Sequence, residues 1–192
     1  MIWKDIQGWF NFEYIYDEAI EKANKGSVFV EIGCWKGRST AYMAQKIKES
    51  GKDIMFFAID TFEGAPDNYQ QNKLLKGMKQ SLYSTFIENM INCDLTDYVF
   101  PIKMDSIEAA VLFEHKSVDF VFIDGDHNYK FIKGDLEVWH KKIKKDGVLA
   151  GHDYLWKSNE KTLDVKRAVH EFCAEYLYAV GVNKDSWVIY VD

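Results

Sequence analysis

Two clusters in this chain carry groups able to do chemistry. The first is Glu31-Ile-Gly33-Cys-Trp-Lys-Gly37-Arg-Ser39, an acid followed by two glycines. Glycine there lets the backbone turn sharply and a ligand approach the main chain. The second is a pair of turns, Asp124-Gly125-Asp126-His127 and Gly151-His152-Asp153-Tyr154, joined by a segment of helical period. Each turn closes a short apolar run. If those runs are adjacent parallel strands, Asp124, Asp126, His127, His152 and Asp153 converge on one crevice. Acids and imidazoles gathered there are costly unless something positive joins them, and a divalent cation such as Mg²⁺ suits oxygen-rich donors.

The glycine spacing excludes two phosphate cradles. A dinucleotide site needs a glycine where Trp35 stands, and in a P-loop the gap before Gly37-Arg38-Ser39 would be one residue longer. Glu31 would repel a pyrophosphate but attract an ammonium or sulfonium group. Asp60 ends the next apolar run, placed to accept hydrogen bonds from a ribose diol. A ligand with a ribose and a cationic amine but no phosphate is implied. S-adenosylmethionine meets that description.

These residues need a scaffold, and the chain has material for one. Of 192 residues, 47% are apolar and 16% aromatic, enough for a real core. With 24 basic against 30 acidic side chains, net −6, no basic footprint for nucleic acid exists. The 3 cysteines are scattered, fitting neither a disulfide framework nor a zinc cage. The N-terminal residues lack the apolar core of a secretory signal, and no stretch approaches the roughly 20 apolar residues needed to cross a bilayer. A cytoplasmic setting without a membrane partner is expected.

Short apolar runs at Val28–Ile32, Ile54–Ile59, Phe120–Ile123, Gly147–Ala150 and Trp187–Val191 read as strands, with further candidates at 98–102 and 176–180. Helices are expected over 12–24, 38–50, 128–145 and 164–175. In the third, Ile132, Leu136, Trp139 and Ile143 form one buried stripe, and the lysines at 141, 142, 144 and 145 sit at its C-terminus. The alternation predicts an α/β doubly wound, Rossmann-like domain covering 1–192. Residues 1–26 form a helical cap in this reading, and the polar stretch 61–82 is a lid insertion.

The E-I-G-x-x-x-G-x-S segment after a strand, with A-I-D closing the next, resembles the cofactor-binding half of class I S-adenosylmethionine-dependent methyltransferases. The resemblance implies a seven-stranded, mostly parallel sheet with one antiparallel strand and helices on both faces. It implies that Glu31, Gly33 and Gly37 line the methionine end, that Ser39 meets the methionine carboxylate, and that Asp60 holds the ribose. Asp105 and Ser106 fall where that family grips the adenine. The second cluster is similar to the metal-assisted small-molecule O-methyltransferases, those acting on antibiotic sugars and, more distantly, catechols. Carried over, Asp124 and Asp153 are metal ligands, with His152 standing where relatives often have an acid. His127 takes the place of the catechol group's catalytic lysine as base, and Asp126 is its rival.

The expected activity is methyl transfer to a hydroxyl of a small molecule. The alternatives are a metal-dependent hydrolase on the same fold and a non-catalytic S-adenosylmethionine binder. Blander readings apply elsewhere: His115, His140 and His170 as solvated bystanders, Cys34 as a small filler, and Tyr154 and Trp156 as either pocket wall or core. Trp3, Trp9 and Phe10 are compatible with covering the active site or with a homodimer.

Overall fold

The computed structural model describes residues 1–65, 69–157 and 162–192. Its strands are β1 (Ser27–Ile32), β2 (Ile54–Asp60), β3 (Phe100–Lys103), β4 (Val118–Ile123), β5 (Ile143–Gly151), β6 (Val180–Asn183) and β7 (Ser186–Tyr190). They form one sheet in the order β3-β2-β1-β4-β5-β7-β6. The first five are parallel, and β7 runs antiparallel to both β5 and β6, the single reversed strand. The chain order reverses at β1 and β4. The carboxyl ends of that pair open the crevice where such sheets place ligands.

Period-two alternation sends the strand side chains to two apolar layers. Phe29, Phe56, Phe120 and Phe122 face α1 (Glu13–Lys22), α2 (Arg38–Ser50) and α4 (Leu82–Asn92). Val30, Ile59, Val121 and Leu149 face α5 (Ser106–Ala109), α6 (Tyr129–His140) and α7 (Asp164–Tyr176). Both faces of the central strands are therefore covered, which is why their sequences read as nearly continuous apolar runs.

The structure departs from the sequence reading in several places. Helix α6 ends at His140, and Ile143 opens β5 opposite Val118. The lysines assigned to a helix end instead brace that turn: Lys142 Nζ donates to the Phe113 carbonyl at 2.8 Å, and Lys144 pairs with Asp119 at 2.8 Å. The run at 176–180 is mostly not a strand. Helix α7 reaches Tyr176, Leu177 turns left-handed at φ 60°, and β6 begins only at Val180. Helix α4 was not foreseen; its start is marked by the Ser81 side chain accepting from the Ser84 amide.

In the expected lid, α3 (Tyr69–Lys76) folds back on the loop, where the Gln71 side chain accepts from the Ala65 amide at 2.8 Å. Part of that segment, 66–68, lies outside the described residues. Within 1–26, Trp3 and Phe10 pack on Tyr42, while Trp9 is exposed and lies 6.2 Å from the Trp35 ring. Among the described residues no helix is long and apolar enough to cross a membrane.

Candidate active site

The glycine loop leaves β1 through Gly33, at φ +85°, whose amide donates to the Ile59 carbonyl at 2.9 Å. A Cβ at Gly33 would lie 2.2 Å from the Asp124 carbonyl oxygen and 2.7 Å from Gly125 Cα. This glycine therefore allows the loops after β1 and β4 to touch, bringing the two sequence clusters together. Gly37, at φ +87°, is the residue before α2 and packs against Met90 and Phe86.

Asp60, at the end of β2, fixes the loop from the side. Its Oδ2 accepts from the amides of Cys34 (2.8 Å) and Trp35 (2.9 Å), and its Oδ1 from that of Phe62 (2.7 Å). Burial pushes its pKa up, against the pull of these amides.

Glu31 lies beneath the same loop and is only 1% exposed. Tyr16 of α1 donates to its Oε1 at 2.9 Å and Thr40 of α2 to its Oε2 at 2.5 Å, so this acid ties two helices to the sheet. Burial raises its pKa to about 7, although the hydroxyls of Ser39, Thr40 and Tyr16 oppose that rise. Ser39 is itself buried. Cys34 is a buried filler, as expected.

Past β3, the Met104 amide donates to the Asp60 carbonyl at 3.1 Å, which sets the next turn beside the Asp60 strand end. Asp105 starts α5, its Oδ1 accepting from the amides of Ile107 (2.9 Å) and Glu108 (3.3 Å). Ser106 donates to Asp135, a buried acid on α6 whose pKa burial raises to about 7. Asp135 stands three residues from Ile132 on the buried stripe of α6, a helical spacing that could have revealed it.

The acidic turns meet beside Gly33. Asp124, His152 and Asp153 each present one ligand atom, and these atoms lie within 4.8 Å of one another. His152 Nδ1 is 3.4 Å from Asp153 Oδ2, and His127 Nε2 is 2.7 Å from the same oxygen. The His127 contact lacks the alignment of a hydrogen bond. Burial works against the charge on Asp153, but His127 and His152 overcome it and hold its carboxyl well below the usual carboxylate range. Burial and then the charge of Asp153 push Asp124 well above that range. Two carboxylates this close compete for one proton, and an imidazole completes a donor set of oxygen and nitrogen atoms. These residues fit a divalent cation.

Asp126, expected at the same crevice, is not among these donors: its Oδ1 accepts from both the amide (2.8 Å) and the side chain (2.6 Å) of Asn128, at the start of α6. Trp156 lies 4.9 Å from the His127 ring. Tyr154 is buried, its hydroxyl 2.5 Å from His170 Nε2, so it is core and not pocket wall. That bond also means His170 is no bystander. Nor is His140, which lies within 3.0 Å of the Tyr178 hydroxyl amid Phe172, Tyr176 and Tyr178, where burial lowers its pKa. Tyr16, Thr40 and Asn11 were also missed. Nothing local in the sequence marks them, because their partners lie on other elements.

Comparison with known proteins bears on the family and the fold. A family described as a methyltransferase domain matches residues 30–154, from β1 to the turn after β5. Over 129 residues the chain is 28% identical to an uncharacterized protein, R132, of Acanthamoeba polyphaga mimivirus; the match covers 66% of this chain and 51% of that one. The chain thus spans about half the length of this curated relative. Among solved structures, the O-methyltransferase NovP superposes with a TM-score of 0.71 at 19% identity, covering 93% of this chain and 77% of NovP. The SAH-bound methyltransferase PaMTH1 of Podospora anserina gives 0.64 at 14% identity, over 93% and 76%. The matched region spans the glycine loop and both acidic turns, and the chain belongs to the methyltransferase-domain family.

Proposed function

We propose that this protein is a class I S-adenosylmethionine-dependent methyltransferase that methylates a hydroxyl of a small molecule with the help of a divalent cation. One observation carries the reading: Gly33 brings the cofactor-type loop into contact with the Asp124 turn, beside the Asp124–His152–Asp153 donor set. A sulfonium donor and a metal-held acceptor oxygen must meet in just this way.

In this reading the main chain of Gly33–Gly37 receives the methionine end, with Glu31 and Ser39 supporting the loop from below. Asp60 faces the ribose, and Asp105 and Ser106 form the adenine side. When bound, S-adenosylmethionine would supply an electrophilic methyl group to the acceptor oxygen, the thioether leaving with the electron pair of the broken carbon–sulfur bond. Asp124, His152 and Asp153 would hold the cation, Mg²⁺ being the natural candidate, and it would supply Lewis-acid chemistry that makes an acceptor hydroxyl more acidic. His127 takes the acceptor proton. Its rival is less free, since Asp126 Oδ1 is occupied twice by Asn128.

Calorimetric titration with S-adenosylmethionine, in Mg²⁺ and again in a chelator, tests the proposal. Micromolar binding that changes with the metal is expected. No binding by folded protein in either condition overturns it and favours the hydrolase alternative.

A further inference from the structure

We propose that Trp9 is a specificity-determining residue that stacks on an aromatic ring carrying the acceptor hydroxyl. The inference rests on the methyl-transfer reading above and adds to it the segment 7–12, which joins the two halves of the site.

Contacts alternate along this segment. Gly8, Phe10 and Phe12 turn toward the protein. The Gly8 carbonyl accepts from Arg38 at 3.0 Å, Phe10 lies 5.0 Å from Tyr42, and Phe12 is buried and stacked on Phe122 at 4.3 Å. Gln7, Trp9 and Asn11 are the exposed residues between them. Gln7 Oε1 accepts from the Trp35 indole at 2.9 Å, on the glycine loop, and Asn11 Oδ1 lies 2.8 Å from His152 Nε2, in the donor set. Trp9 is two residues from each, at most about 7 Å along the backbone. It therefore stands between the loop that would bring the methyl group and the residues that would hold the acceptor.

Trp9 is 51% exposed although its segment is anchored on both sides, so its indole is held with a face open to solvent. An apolar face kept wet at the rim of a crevice is one that a ligand gains by covering. Trp35 offers no such face. Its ring lies 6.2 Å from that of Trp9 at 45°, Lys36 Nζ stands 5.6 Å from its centroid, and a Cβ on Gly64 would lie 3.6 Å from its Cζ3. The polar side chains of the segment are also engaged, Gln7 by Trp35 and Asn11 by His152. A polyol laid on Trp9 would lose water from its hydroxyls and find these partners taken. An aromatic ring needs only a flat apolar face, and it gains the offset or edge contact that aromatic pairs favour.

The test uses the full chain labelled with fluorotryptophan and loaded with S-adenosylhomocysteine and Mg²⁺, with catechol and methyl glucopyranoside as probes. The ¹⁹F resonance missing in Trp9→Phe is that of Trp9. Catechol should shift it saturably, and the glucoside should leave it in place. Leucine keeps the apolarity of Trp9 without its flat face, so catechol should bind Trp9→Leu roughly tenfold more weakly and Trp9→Phe only about threefold more weakly. An unmoved Trp9 resonance, or equal catechol affinity in Trp9→Leu, overturns the inference, while S-adenosylhomocysteine binding in the same samples leaves the methyl-transfer reading standing. A shift caused by the glucoside alone overturns the aromatic class. A wild-type dimer that Trp9→Leu converts to monomers in sedimentation velocity also overturns it, by placing a second copy of this chain on Trp9. Failure of the folded wild type to bind S-adenosylhomocysteine overturns the methyl-transfer reading and, with it, this role.

Discussion

Replacing Asp60 by Asn changes one atom in the side chain that shapes the glycine loop. The carboxylate accepts three backbone amides, two on Oδ2 from Cys34 and Trp35 and one on Oδ1 from Phe62. An amide has only one acceptor oxygen. Its better orientation keeps the Cys34 and Trp35 bonds and turns an NH₂ group against the Phe62 N–H. The lost charge-assisted bond, with its amide left unpaired, costs about 1.5–3 kcal/mol. The two remaining bonds pass from charged to neutral, at about 1 kcal/mol each. Burial outweighs the pull of the amides on this charge, so removing it returns what those two bonds lose in passing to neutral. The net expectation is the remaining loss of about 1.5–3 kcal/mol, a large share of a typical domain's stability. Urea denaturation of Asp60→Asn against wild type measures it. A loss under about 1 kcal/mol would refute the claim that Asp60 builds the loop. Weaker S-adenosylmethionine binding in a variant of full stability would instead assign Asp60 to the ligand.

The two loop glycines should behave differently. Gly33→Ala places a methyl 2.2 Å from a main-chain carbonyl at φ +85°, and left-handed strain plus an immovable clash should cost about 4 kcal/mol or prevent folding. Gly37→Ala meets only Met90 and Phe86 side chains, at 2.6 and 2.9 Å, and should cost about 1–3 kcal/mol in chemical denaturation; equal losses would contradict this. Glu31 predicts a pH dependence. Its folded pKa is raised to about 7 from 4.5, so the stability it contributes is present at acid pH and lost as pH rises through that window, at most about 3 kcal/mol. Glu31→Gln should flatten the fall in stability from pH 5 to pH 8. Asp135, also raised to about 7, keeps part of the slope, and parallel curves for variant and wild type would count against the assignment.

The strands at the middle of the sheet were legible because both faces are covered, so β1, β2 and β4 read as apolar runs bounded by glycine and acid. The meeting of Asp124, His152 and Asp153 was legible for a related reason: parallel neighbours bring their carboxyl ends together whatever lies between them. What failed was local in appearance but decided by tertiary pairing. Ile143 continues the helical stripe of α6, yet Val118 claims it for the sheet. Tyr176 and Tyr178 have the composition of a strand, but packing around His140 holds them at the end of a helix and in the turn beyond. The strand-end places of Glu31 and Asp60 pointed to a ligand but not to their partners within the fold. Neither the hydroxyls of Tyr16 and Thr40 nor the amides of the loop leave a mark in the pattern of residues.

Those tethers bear on how the site would bind. An ionised carboxylate offers about four lone-pair positions, and Asp60 has committed three to the loop. In the proposed binding mode a ribose diol would find one strong acceptor there and not two, so Asp60 would contribute less direct affinity than its place in the sequence implies. The compensation is order. The loop is held in shape by Asp60 on one side and by the Gly33–Asp124 contact on the other, and a ligand need not bear the entropy of arranging it. The same contact makes the cofactor loop and the acidic turn one mechanical unit. A substitution that loosens the loop should therefore disturb the Asp124 side as well, because the Asp124 amide is itself bonded to the Ile32 carbonyl at the loop's root, at 2.8 Å.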